Sequence, residues 1–186
     1  MPPADNTSAV LCSDISFDMV KDVEFRTDQY PAEVARIFAS AGGGMRLMPL
    51  VRQAGSSIEL RETVKRLAVS ESVKAGLYLY CSCWDEAHTT ADAIEDPDGY
   101  FWHAIVHRQE PDPANSAYWF RKTGEHPIFP KLSEEAAAGG YPATQTWDPY
   151  RFIEFCGTST EEHLAMKVQL VEWQLLFDHC ARGSAV

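Results

Sequence analysis

The chain has 186 residues, 45% hydrophobic and 23% charged, which is enough apolar material for one domain with a buried core. Its 27 acids against 16 Lys plus Arg give a formal net charge of -11, which repels phosphate backbones and anionic lipid; nucleic acid and membrane are therefore not expected partners. No run approaches the roughly 18 apolar residues of a spanning helix, and the opening MPPADNTSAVLC lacks the basic region and apolar core of a secretory signal.

Five cysteines, Cys12, Cys81, Cys83, Cys156 and Cys180, form no disulfide-scaffold pattern. Reduced thiols in a cytoplasmic protein are the expectation. Residues 1–20 read as a flexible N-terminal arm and residues 21–186 as one helical domain.

Ala32 to Ser40 has helical character and Gly42-Gly43-Gly44 breaks it. Ser56 with Glu59 has capping-box spacing before LRETVKRLA. Ser70 caps the next segment, ESVKAGLYLYCS, and Ser82 with Asp85 opens WDEAHTTADAIE. The turn Asp96-Pro97-Asp98-Gly99 stops that helix, and another runs from Tyr100 to about Gln109, ended by Pro111. Asp112-Pro113 supplies an N-cap and a proline at the first helical position, with Gly124 as the stop.

Further on, Ser133 starts a short EEAAA helix, Asp148-Pro149 repeats the capped start with Gly157 as its stop, and Ser159 with Glu162 opens the longest helix, to about Arg182. In that helix Leu164, Val168, Val171 and Leu175 form one apolar row and Met166, Leu170, Trp173 and Phe177 a second. Two rows make a wide apolar face and predict a central helix. Short helices joined by short turns predict an all-α domain of antiparallel helical hairpins, an irregular and partly repeat-like bundle.

The chemistry concentrates between Asp98 and Pro130. On a helix from Tyr100, Phe101, Trp102, Ile105 and Val106 form an apolar face, while His103, His107 and Glu110 stack on the other side. Two imidazoles at i and i+4 can bind one ion, and bound zinc lowers the pKa of its water to about 7. Glu110, His88, His126 and Glu125 are the candidates for completing such a site. The bland alternative is a polar helix face whose histidines bond to neighbours, with Arg108 and Glu110 tying helices together.

Tyr118, Trp119 and Arg121, with Trp102 and Arg108, make a candidate ligand or docking surface; Trp119 or Phe120 is expected inside, and Arg121 across from an acid. Cys81, Cys83 and His88 are too tightly spaced for a zinc knuckle, so inert buried thiols are expected. His163 and His179 read as structural.

The segment YFWHAIVHRQEPDPANSAYWFRKTGEHPIFP resembles a family of uncharacterised bacterial helical proteins with the form YWHxIxHRxEPDxxNAxYWFRxxGxHP. It matches at Tyr100 (one residue displaced from Trp102), His103, His107, Arg108, Glu110, Pro111, Asp112, Asn115, Ala117, Tyr118, Trp119, Phe120, Arg121, Gly124, His126 and Pro127. Phe101 is an insertion, and Gln109 stands where a basic residue is usual. No activity attaches to that family. HAIVHRQE is also similar to the H-x-x-x-H-R-x-Q helix of the DinB/YfiT-like metal-binding bundles; Gln109 is one position early, and the third histidine expected from an early helix has no counterpart there. That second resemblance implies a divalent metal.

Two functions follow as expectations. One is a small-ligand or divalent-metal site (zinc, nickel or iron) around His103, His107, Glu110, His126 and His88, with metal-dependent hydrolysis as one use. The other is a protein-interaction module of stacked hairpins, and a purely structural polar network stands beside both. Partners are a small molecule or a protein.

Overall fold

The computed structural model describes residues 25–53 and 57–183; the expected arm over 1–20 lies outside them. Among the described residues there are nine α-helices and no strand. They are α1 (Ala32–Ser40), α2 (Ile58–Lys65), α3 (Glu71–Tyr80), α4 (Trp84–Asp92), α5 (Pro97–Gln109), α6 (Pro113–Thr123), α7 (Phe129–Ala138), α8 (Pro149–Thr158) and α9 (Glu162–Gly183). None is long and apolar enough to cross a membrane. The all-helical expectation holds, and chain neighbours pair as hairpins would: α3 packs on α4, α4 on α5 and, most extensively, α5 on α6.

Three helices start by one chemical rule. Asp96, Asp112 and Asp148 each precede a proline and each accept a backbone N–H, from Gly99 at 2.9 Å, Asn115 at 3.1 Å and Tyr150 at 2.9 Å. Proline at the first helical position loses nothing, since its missing N–H would be unpaired there anyway. Asp96-Pro97 therefore begins α5, in place of the expected turn and helix start at Tyr100. Two other starts also shift. Ser82 adopts a left-handed φ of 60° and leaves Cys83 as N-cap, so it does not cap α4. Ser57 caps α2 through the Leu60 N–H at 3.3 Å, while Ser56 falls outside the described residues. The short helix expected from Ser133 begins earlier, at Phe129, and the Ser133 hydroxyl donates to the Thr144 carbonyl at 2.7 Å.

α9 is buried on nearly every side from Val168 to Gln174, as two apolar rows require. Its core partners are aromatic: Trp173 stacks on Tyr80 at 4.6 Å and on Phe177 at 5.1 Å. The polar residues between those rows are also buried, and they staple loops. Gln169 donates to the carbonyls of Met48 and Pro49, both at 3.2 Å, and Gln174 to Gly44 at 2.9 Å, which pairs loop carbonyls that would otherwise lack a partner. The Trp173 indole, from the second apolar row, donates to the Gly76 carbonyl within α3 at 2.9 Å. The stapled loop, 41–53, crosses the bundle and ends beside α5.

Gly76 sits where α3 packs closely against Phe177 of α9 and Trp102 of α5. A Cβ there would sit 2.9 Å from both Phe177 Cδ2 and Trp102 Cζ2. Gly76→Ala is expected to destabilise, because overpacking costs roughly 1–3 kcal/mol against a helix-propensity gain of about 1 kcal/mol. At Gly157, helical and with nothing within 4 Å of the added carbon, the same change should stabilise by up to about 1 kcal/mol. Urea unfolding of the two variants should move the midpoint in opposite directions.

Candidate metal centre

α5 runs through the middle of the bundle and is buried on all sides from Phe101 to Gln109. The apolar and polar faces expected of it are therefore both enclosed. His103 and His107 stand one turn apart with near-parallel rings, 4.8 Å between centroids and 14° between planes. His88 comes from α4 and meets both rings edge-on, at 4.7 and 4.9 Å. Ligand atoms of the three imidazoles all lie within 4.8 Å of one another. From α6, Trp119 stacks on His103 at 4.0 Å and walls the site.

Carboxylates surround the trio. Asp92 Oδ1 is 3.7 Å from His103 Nδ1, Glu110 Oε2 is 3.4 Å from His107 Nδ1, and Glu110 Oε1 is 3.9 Å from His88 Nδ1. Glu110 is itself held by Arg52, whose guanidinium donates to it and to Asp85, both at 2.9 Å. The Arg52 backbone N–H bonds to the Gln109 carbonyl at 2.7 Å, so the stapled loop places that arginine. The site opens at His88, whose side chain is 38% exposed, while His103 is 2% exposed.

Both ring nitrogens of His103 and Nδ1 of His107 are buried without a hydrogen-bond partner. Unpaired buried polar groups cost about 1–3 kcal/mol each and are rare without a reason such as a ligand. Burial pushes His103 down to about 4, and the adjacent His88 and His107 add to the effect. His107 is lowered too, by burial and then by His88. His103 and His107 are therefore neutral near pH 7, the form that binds a metal.

A histidine with a depressed pKa contributes stability that is full above its unfolded value, about 6.5, and lost as pH falls through its folded value. Chelator-treated protein is thus expected to lose thermal stability between about pH 6.5 and the His103 value of about 4. His103→Gln should flatten that decline, as read by melting temperature against pH.

Of the sequence candidates, His88, His103, His107 and Glu110 come together. His126 does not. Beyond the Gly124 stop, at φ 65°, the chain turns away, and His126 packs against Phe101 at 5.1 Å and pairs with Asp98. Glu125 points outward and is exposed.

Trp102 and Arg108 are not surface residues. The Trp102 indole donates to Ser72 Oγ at 3.1 Å, and Arg108 pairs with Glu172 inside the core, its guanidinium 4.6 Å over the Phe152 ring. Tyr118 and Arg121 are exposed, with Arg121 lying over Tyr118 at 5.8 Å instead of facing an acid, while Trp119 is half-buried and Phe120 buried. Cys81 and Cys83 are buried thiols, the former pushed up to about 12 by burial.

Asp92 and Arg52 escaped the sequence reading. Asp92 lies one turn after His88, a spacing that in hindsight was visible. Arg52 had no local signal. No protein-family model, curated protein or solved structure matches this chain.

Proposed function

We propose that this protein holds one divalent transition-metal ion between His88, His103 and His107 and hydrolyses a small-molecule substrate there. The observation that carries the reading is convergence with unpaired nitrogens: three imidazoles from two helices meet, and buried ring atoms among them have no hydrogen-bond partner. Imidazole donors suit zinc, nickel and iron. The likeness of HAIVHRQE to the DinB/YfiT-like helix points the same way, with His88 as the third imidazole.

The surrounding side chains have separable tasks. Glu110, fixed by Arg52, faces Nδ1 of both His107 and His88; Asp92 faces Nδ1 of His103. In the metal-free protein Nδ1 of His103 and of His107 makes no hydrogen bond; with an ion on the other nitrogen, Glu110 would accept from the His107 ring and fix its orientation. When bound, the ion lowers the pKa of a water and polarises the substrate. Asp92, largely exposed, is the carboxylate able to accept a proton and pass it to solvent, the role of general base. Trp119 and the helices behind it keep the closed side dry.

Metal analysis of purified protein, followed by assay against a panel of aryl esters and phosphate esters, tests this. The expected result is bound metal, hydrolysis abolished by chelation and restored by metal, and an Asp92→Asn variant that keeps the ion but loses kcat. A protein that takes up no zinc, nickel or iron from micromolar solutions would sink the reading.

A further inference from the structure

A second group of donors lies elsewhere on α5. Asp98, in its first turn, is five positions before His103 and therefore about 140° around the helix from it. His126, from the α6–α7 connection, and His179, near the end of α9, reach the same aspartate. His126 Nε2 is 2.9 Å and His179 Nε2 3.4 Å from a single oxygen, Asp98 Oδ1. The ligand atoms of all three side chains lie within 4.8 Å of one another.

We propose that Asp98, His126 and His179 form a second, independent binding site for a divalent transition-metal ion, with a two-histidine, one-carboxylate donor set. Distances carry the assignment. Two donors each about 2.1 Å from one ion are separated by about 3.0 Å at an octahedral angle and by about 3.4 Å at a tetrahedral one, and the two nitrogen–oxygen separations match these values. Three donors far apart in sequence, on three different segments, converge on one point. His126 is held in place by the Phe101 and Phe129 rings at 5.1 and 5.9 Å, and His179, 38% exposed, leaves a route in.

The neighbouring Cys180 thiol is already engaged by the Ser72 hydroxyl at 3.0 Å. Without metal, the Ile128 N–H lies 3.4 Å from His126 Nδ1, which puts the ring proton on Nε2, toward Asp98. Binding would move that proton to Nδ1, giving up both this long contact and the 2.9 Å bond to Asp98, and would leave the Nε2 lone pair and the Asp98 oxygen to the ion.

Equilibrium dialysis with cobalt(II) separates the two sites. The intact protein should bind two equivalents. His103→Ala/His107→Ala protein should keep one, and Asp98→Asn or His179→Ala alone should also leave one. Asp98→Asn preserves an acceptor for His126, so the metal-free melting temperature should shift by no more than a few degrees while affinity at this site falls at least 100-fold.

Binding that His179→Ala and Asp98→Asn leave untouched overturns the proposal, whether or not the His103 site binds. Conversely, binding lost in these variants but insensitive to His88→Ala upholds it while refuting the first centre. Should the double variant not fold, the same comparison is read from His88→Ala and His179→Ala.

Discussion

Arg108→Met, with Glu172 left in place, is expected to destabilise the fold by about 3–5 kcal/mol, the cost of stranding a buried charge. Both partners are essentially sealed from solvent, at 2% and 0% side-chain exposure. Arg108 bonds to both Glu172 oxygens and to Gln169 Oε1, and so ties α5 to α9. Burial raises the Glu172 carboxyl above its usual range, and Arg108 opposes that rise. Removing the guanidinium leaves the carboxylate either charged without a partner or protonated at a cost.

Replacing both residues, as Arg108→Met/Glu172→Met, should recover most of the loss, because an apolar pair of similar volume often equals a buried ion pair in stability. Urea denaturation of the two singles and the double gives the coupling energy directly. Singles that each cost less than about 1 kcal/mol, the usual scale of an exposed pair, would show that water reaches this bridge.

The second large effect is on metal affinity, and it should run against stability. His107→Ala and His103→Leu are each expected to weaken binding at the three-histidine centre by more than the roughly 10–100-fold that loss of an outer-sphere partner costs. In metal-free protein, however, His103→Leu should leave the melting temperature unchanged or raise it. The wild-type ring buries two nitrogens without partners, and an apolar side chain of similar size removes that penalty. A histidine kept for structure behaves oppositely, since its loss lowers stability with or without metal. Calorimetry with zinc, paired with thermal melts in chelator, distinguishes the two. A large melting-temperature drop for His103→Leu in chelator would assign the trio to the scaffold.

Much of the helical order was legible because its signals are local. Asp112-Pro113 and Asp148-Pro149 each announced a capped start, and the two apolar rows after Ser159 announced a buried helix. Asp96-Pro97 carries the same signature, but with Asp98-Gly99 it also fits a turn, and that reading puts the start of α5 at Tyr100 instead of Pro97. Ser133 misled because its hydroxyl serves a loop carbonyl instead of a helix end. In the candidate site, His103 and His107 were readable from helical spacing alone. Whether His88 or His126 joined them was not, since both lie one connection away and only the crossing of helices selects between them.

By itself, the sequence determined an acidic, helical chain with a paired-histidine helix, because capping, proline geometry and the 3.6-residue period act within a few residues of each other. The tertiary structure alone decided the rest. It enclosed α5 on all sides, brought His88 to the pair, sent His126 to Asp98 and His179, and turned Arg108 inward to Glu172. Those outcomes depend on packing between segments as far apart as residues 98 and 179. Contacts at that separation are set by which apolar surfaces must be buried together, and no short-range pattern records them.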